Sequence, residues 1–323
     1  MAAALLDEPR TAASRDVTPA KNLRDSMAAV RVSFTWLGSR KTLTPEQRAE
    51  AAQPFDAEGQ YLSAGKKLLD TAHPAFKAVT AIKSKIASTW KGLSLPFPEP
   101  GVRLIRRDKI DEFVGLMEEY RNELAEAVVN LDRHYGELKM AAADRLGRLF
   151  NPSDYPDTLI GLFDVSWDFP SVEPPDYLRD LNPALYEAER ARVAARFDEA
   201  VQMAEQAFLN EFSKLVGHLT ERISGVGEGG EKKVFRDSAI GNLGDFFERF
   251  KSLNVRSNDQ LDAMVSQAQQ AVRGVGAGDL RANDDLRQRV ASQLSGVRSA
   301  LDGMMVERPR RKIIRPTIAK EAT

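Results

Sequence analysis

The sequence predicts a mainly α-helical protein with one small β-sheet. Charged residues make up 29% of the chain and aromatic residues only 7%, a balance typical of long helices with charged faces. Apolar residues recur at helical spacing through residues 108–150 and 183–223, whereas short segments near 30–36, 102–106 and 162–169 have strand patterns. We therefore expect a long antiparallel, coiled-coil-like helical arm, a three-stranded sheet at its base and a C-terminal helical subdomain.

The first 27 residues have no sustained period and are expected to form a flexible arm. A strand follows, because Val30, Val32, Phe34 and Trp36 alternate with polar residues. The sequence Thr44-Pro-Glu-Gln47 is a capping box and predicts a short helix up to Pro54. A longer helix is expected over residues 63–89, and the proline-rich segment 93–101 is interpreted as a stiff connector.

The first long helix, over residues 108–150, carries an apolar residue at every seventh position. These residues are Ile110, Met117, Leu124, Leu131 and Leu138. Such a repeat is typical of coiled coils, and a helix of this length reaches roughly 60 Å. His134 falls in the companion apolar position, where a polar side chain specifies register. We expect the five repeat residues to contact a protein partner.

The second long helix, over residues 183–223, has an eleven-residue apolar repeat that keeps its stripe nearly straight. Phe197, Phe208 and Leu219 are the members of this stripe that we expect to make protein–protein contacts. We expect the two long helices to pack antiparallel in a domain of residues 28–225. A glycine-rich linker at 226–233, a helical subdomain at 234–305 and a basic tail at 306–323 complete the predicted organisation.

The composition excludes several classes of chemistry. The chain contains no cysteine, which removes disulfides, thiol nucleophiles and thiolate metal sites. Gly225, Gly227 and Gly230 match a dinucleotide-binding string but follow a helix rather than a strand. Asp164 and Asp168 share a strand face, which leaves a cation site or catalytic pair as a minor alternative to a solvated face. We expect no enzyme activity, no cofactor and no resident metal.

Charge and hydropathy limit the cellular locations and the partners that we expect. The 46 basic and 47 acidic residues nearly cancel, so any charge-driven partner must bind locally. The basic tail is the best candidate for such binding to nucleic acid or to an acidic protein. Its cationic residues are Arg308, Arg310, Arg311, Lys312 and Arg315. No signal peptide or membrane span is expected, which predicts a cytoplasmic protein, or a virion protein in a phage particle.

Three segments together resemble a family of uncharacterised phage, plasmid and bacterial proteins. They are the strand from Val32 to Lys41, the arginine-rich entry from Val102 to Asp108, and the run from Phe163 to Pro170. Genes of that family tend to lie near those of a MoxR-type AAA+ ATPase and a von Willebrand factor A protein. The resemblance covers residues 28–185 and implies an accessory role to such an ATPase, without assigning any functional residue.

These features together predict a non-catalytic scaffold or adaptor that acts by protein–protein interaction and is able to form oligomers. Two alternatives stay open: a particle-forming structural protein of a phage or plasmid, and a nucleic-acid-associated protein that uses the basic tail. Substitution of Leu124 and Leu131 by Asp is expected to destroy assembly or folding.

Overall fold

The computed structural model describes residues 18–224 and 238–307. The predicted glycine-rich linker, the glycine string and the cationic residues of the basic tail lie outside the described residues. So do residues 1–17 of the expected N-terminal arm, whereas its last residues form regular structure. The protein is mainly helical, with 69% helix and a small antiparallel sheet, as the sequence predicts.

In chain order the elements are α1 (Pro19–Ser26), β1 (Met27–Trp36), β2 (Arg40–Thr42), α2 (Pro45–Ala52), β3 (Gly65–Lys67), α3 (Pro74–Gly92), β4 (Ser94–Pro96), β5 (Val102–Arg106), α4 (Ile110–Arg133), α5 (Tyr135–Leu146), β6 (Phe163–Asp168), α6 (Tyr177–Leu181), α7 (Pro183–Ser224), α8 (Ser238–Leu253), α9 (Asp259–Val272), α10 (Ala277–Ala282) and α11 (Asp284–Glu307). They form two compact units. One unit comprises Met27–Glu173, and the other comprises the described residues of Met1–Ser26 together with those of Pro174–Thr323.

The sheet of the 27–173 unit has the antiparallel order β4-β5-β1-β6. The first half of β1 pairs with β5 and the second half with β6, and Arg31 is the residue that pairs on both sides. The three predicted strands therefore meet in one sheet. The expected number of three strands is too small, because β4, within the proline-rich segment, adds a fourth strand through Leu95 opposite Leu104. Proline is compatible with this position since β4 lies at the edge of the sheet.

Helices α3 and α4 pack against each other, and α4 also packs against β6. The core between the helices and the sheet contains side chains of all three elements, such as Val30, Ile86, Phe113 and Val165. Helix α2 begins at the predicted capping box, where Gln47 N–H donates to Thr44 Oγ1 and Thr44 N–H to Gln47 Oε1. The helix expected over residues 63–89 is shorter: α3 begins at Pro74, after β3 and a loop.

The first predicted long helix is divided at His134, which separates α4 from α5. The heptad repeat continues through this break, because Leu131 and Leu138 are both buried on its two sides. The expected helix of roughly 60 Å is therefore not continuous. Its apolar face packs within the 27–173 unit, where α3 is the main helical neighbour of α4.

The other unit is built around α7, whose bounds match the predicted 183–223 closely. α7 packs against α11, α1 and α8, so its apolar stripe is covered from several sides. Its contact with α8 is aromatic, with the Phe212 and Phe246 rings stacked at 5.1 Å. Arg287 of α11 donates to the carbonyl oxygen of Ile223 at 2.7 Å, which satisfies an acceptor at the C-terminal end of α7.

The two long helices belong to different units, and the predicted domain of residues 28–225 spans parts of both. The physical reason is that different helices cover the two apolar stripes. Helix α3 packs on α4, whereas α11 and α8 pack on α7. α1 also differs from the expected flexible arm, since Leu23 is buried in the same unit as α7.

Candidate functional site

The short β2–β3 pair brings four cationic side chains together in the 27–173 unit. Lys41 lies directly opposite Lys66, and Arg40 lies directly opposite Lys67. Because side chains alternate along a strand, the two lysines of the first pair share one face and the second pair occupies the other. Like charges in directly opposed positions of an antiparallel pair are unfavourable. A nearby anion would therefore stabilise each pair of cations.

Asp154 supplies that anion on the face of Lys41 and Lys66. Its carboxylate lies 2.6 Å from each ammonium group and its side chain is only 2% exposed, as against 5% for Lys66 and 56% for Lys41. Lys66 Nζ also donates to the carbonyl oxygen of Leu149 at 2.6 Å. Hydrogen bonds from Lys41 and Lys66 hold the pKa of Asp154 below its ordinary value. The buried ion pair links the β2–β3 pair to the loop of residues 149–154.

Arg40 and Lys67 are exposed on the opposite face. In the described part of the chain no carboxylate compensates this pair as Asp154 compensates the other. Lys67 also lines a cleft of about 350 Å³ in the same unit. Lys67 therefore lies at the border of a concave surface, with Arg40 beside it on the neighbouring strand.

The cleft is formed by residues 67–72, which connect β3 to α3, and by one side of α5. Its lining is Lys67, Leu68, Leu69, Asp70, Thr71, Ala72, Leu138, Ala142, Arg145 and Leu146. Leucine and alanine supply most of the lining, and the charged side chains are Lys67, Asp70 and Arg145. This is the composition of a small-molecule site, in which an apolar interior carries a few polar groups.

Asp70 is held by two donors. Its Oδ1 accepts from the Ala72 N–H at 2.9 Å and its Oδ2 from Arg145 Nη1 at 3.0 Å. The backbone N–H of Ala72, followed by Arg145, keeps the pKa of Asp70 below its ordinary value. Asp70 and Arg145 thus neutralise each other, so Lys67 gives the cleft a net positive charge.

Two histidines that are far apart in sequence meet beside this loop. The imidazole rings of His73 and His134 have centroids 5.2 Å apart. His73 is the N-cap of α3, because its Nδ1 accepts from the Ala75 N–H at 3.3 Å. His134 Nδ1 lies 3.8 Å from Glu137 Oε2. Across residues 18–224 and 238–307, no three His, Asp or Glu side chains converge as a metal-binding group.

The strand-face carboxylates are each occupied by a guanidinium group. Arg31 donates to both oxygens of Asp168 at 3.0 and 2.6 Å, and Arg121 donates to both oxygens of Asp164 at 3.0 and 3.1 Å. The hydrogen bonds from Arg31 hold the pKa of Asp168 below its ordinary value. This arrangement favours the interpretation of these aspartates as ion-paired residues of a solvated face.

The residues predicted to contact a partner are mostly core residues. Met117, Leu124, Leu131 and Leu138 are buried in the 27–173 unit, and Ile110 is half-buried against the same core. Phe197, Phe208 and Leu219 are buried in the other unit. A fully buried side chain offers no area to a second protein, so a contact surface must be sought on the exposed faces.

Among the described residues of the unit of α7, three of the four exposed large apolar side chains lie in one short segment, residues 177–185. Tyr177 of α6 is 63% exposed, Leu181 is 77% exposed and Leu185 of α7 is 43% exposed. Arg179 fixes α6 to the first turn of α7, since its Nη2 donates to Tyr186 Oη at 2.9 Å. No side chain of α7 before Val193 is buried. We call residues 177–185 the apolar segment.

The cleft, the β2–β3 pair and the apolar segment were not predicted from the sequence. The four cationic residues 40, 41, 66 and 67 look like ordinary solvated charges when the pairing of their strands is unknown. The apolar segment carried a weak signal, because Tyr177, Leu181 and Leu185 recur every fourth residue.

Comparisons of the chain with protein-family models, with curated proteins and with solved structures each found no match. Among the described residues, no helix has the length and apolar character needed to cross a membrane.

Proposed function

We propose that this chain is a non-catalytic helical scaffold or adaptor that acts by protein–protein interaction. The observation that carries the proposal is the apolar segment, with Leu181 at 77% exposure as its most accessible side chain. Burial of apolar surface contributes about 25 cal/mol per Å² and is the main favourable term in most protein–protein association. Exposed leucine and tyrosine side chains gathered within nine residues therefore favour a partner-covered surface.

Helix α7 supports the same proposal. Its first ten residues, 183–192, contain no buried side chain, whereas the rest of the helix is anchored in the core of its unit. A helix that is fixed at one end and exposed at the other presents its surface to a partner without rearrangement of the core. Amphipathic helices commonly bind protein partners through an exposed apolar face.

The resemblance of residues 28–185 to proteins encoded near MoxR-type AAA+ ATPases suggests the kind of partner. We propose that the adaptor delivers a client to such an ATPase or regulates it, with a von Willebrand factor A protein as a further partner. Assembly into an oligomer through exposed helix surfaces and residence in the cytoplasm belong to the same proposal. A particle-forming role would place the protein in a virion instead.

Sedimentation velocity tests the proposal directly. The wild-type chain, Leu181→Asp and the control Met140→Asp are compared alone and mixed with a purified MoxR-type ATPase. Met140 is a suitable control because it is 65% exposed but lies on α5, in the other unit. We expect the wild type and the Met140 variant to associate, and Leu181→Asp to lose association. Equal behaviour of all three proteins would contradict a role for the apolar segment.

A further inference from the structure

The cleft between residues 67–72 and α5 has an interior suited to an apolar group. Leu68, Leu69, Leu138, Ala142 and Leu146 supply apolar lining, and the volume of about 350 Å³ lies within the range of small-molecule sites. Hydrogen bonds to backbone carbonyl oxygens hold both sides of the cleft in place. Tyr155 Oη donates to the carbonyl oxygen of Leu68 at 3.0 Å, and Leu138 N–H donates to the carbonyl oxygen of His134 within its helix.

The positive charge beside this interior favours the binding of an anion. Lys67 lines the cleft, and Arg40 lies directly opposite Lys67 on the neighbouring strand β2. The equivalent pair on the other face, Lys41 and Lys66, shares the carboxylate of Asp154 at 2.6 Å. Both faces of the β2–β3 pair therefore carry two opposed cations, and in the described part of the chain only the face of Lys41 and Lys66 has a carboxylate between them.

Asp70 is the one acidic residue of the lining, and it does not offset Lys67. Both of its oxygens are engaged, one by the Ala72 N–H and the other by Arg145. Lys67 and Arg40 are left to attract an anion from solution. A carboxylate placed between two cations on a partly apolar surface gains more from Coulomb attraction than it does in bulk water.

We propose that this cleft binds a small amphipathic anion, a carboxylate carried on an aliphatic or aromatic body. The apolar body occupies the leucine-lined interior, and the carboxylate lies beside Lys67, with Arg40 on the neighbouring strand adding to the positive charge. This binding site goes beyond the adaptor function and does not depend on it. The size of the cleft favours a small molecule over a peptide segment, which would extend past its ten lining residues.

The test uses 8-anilinonaphthalene-1-sulfonate as the probe, because it combines an anionic group with an apolar body and fluoresces when bound. It is titrated into the wild-type chain, Lys67→Glu and the control Lys77→Glu. The control has the same change in net charge on an exposed lysine that is not part of the lining. We expect one equivalent to bind to the wild type and the control, and binding to Lys67→Glu to weaken about tenfold.

A second variant, Leu146→Trp, fills the apolar interior and leaves Lys67 and Arg40 in place. It is expected to lower probe affinity without removing the cations, and octanoate is expected to displace the probe from the wild type. A higher salt concentration should weaken the binding of both the probe and octanoate. Thermal melting of each variant confirms that it is folded.

Probe affinities that are equal in the wild type, Lys67→Glu and Leu146→Trp would overturn the proposal. So would failure of octanoate to displace the probe. If octanoate leaves the probe bound while the peptide acetyl-Leu-Asp-Leu-amide displaces it, the small-molecule proposal is wrong and the cleft is a peptide site.

Discussion

Lys66 and Asp154 form a buried ion pair, with 2.6 Å between Lys66 Nζ and Asp154 Oδ2. The pair joins a three-residue strand to a loop that follows α5. These two segments are far apart in sequence. Lys41 approaches the second oxygen of the same carboxylate from the solvent side. The β2–β3 pair that borders the cleft is therefore anchored by one acidic residue.

Replacement of Asp154 by Asn should destabilise the 27–173 unit strongly. The ammonium group of Lys66 would stay buried without its counter-charge, a loss that costs about 3 kcal/mol or more in free energy of unfolding. Lys41→Met is the comparison variant, because Lys41 is 56% exposed and its contribution should be below about 1 kcal/mol. Chemical denaturation of both variants checks the difference, and equal losses would contradict the buried character of the Lys66 pair.

The same pair predicts a specific loss of stability in acid. Because Lys41 and Lys66 lower the pKa of Asp154, the unfolded state binds more protons than the folded state as the pH falls below about 4. The stabilisation is full above that pH and is lost as the pH falls through the folded-state pKa. The stability difference between the wild type and Asp154→Asn should therefore shrink below about pH 4. A constant difference down to pH 2 would be inconsistent with the lowered pKa.

Lys67→Glu should stabilise the fold while it weakens the proposed anion binding. The substitution replaces a like-charge cross-strand pair with Arg40 by an opposite-charge pair, which is worth about 0.2–1 kcal/mol. The gain should decrease at high salt because both side chains are exposed. A melting series in low and high salt measures it. A less stable variant at low salt would show that Lys67 has a stabilising partner.

Leu131 tests the conclusion that the heptad residues are core residues. Its side chain is fully buried, so Leu131→Ala should cost about 2–5 kcal/mol in the free energy of unfolding. Leu131→Asp should prevent folding of the 27–173 unit, because it places an unpaired carboxylate in the core. The measurement is chemical denaturation monitored by circular dichroism. Full stability of either variant would mean that the stripe is not buried in the folded chain.

Local patterns predicted much of the secondary structure. The alternation from Val30 to Trp36 predicted β1, and the capping box of Thr44 and Gln47 predicted the start of α2. Both predictions were possible because these patterns depend only on residues that are close in sequence. The eleven-residue stripe predicted α7 for the same reason: a long run of apolar positions on one face requires a helix that is buried along that face.

Features that depend on distant residues were not predictable in this way. The heptad repeat passes from Leu131 to Leu138 without interruption, so it gives no sign of the break at His134. The repeat also specifies a buried face without specifying the neighbour, which is α3 rather than a second long helix. β2 and β3 have three residues each and mostly charged side chains, so their pairing follows from tertiary contacts such as that of Lys66 with Asp154.

The most direct test of the adaptor proposal is the solution mass of the wild type and Leu181→Asp by light scattering, over a wide range of concentration and with a MoxR-type ATPase. The adaptor account predicts a complex with the ATPase that requires Leu181, whether the free protein is a monomer or a small oligomer. A wild-type protein that neither associates with itself nor binds the ATPase would contradict it, as would complexes that Leu181→Asp leaves unchanged.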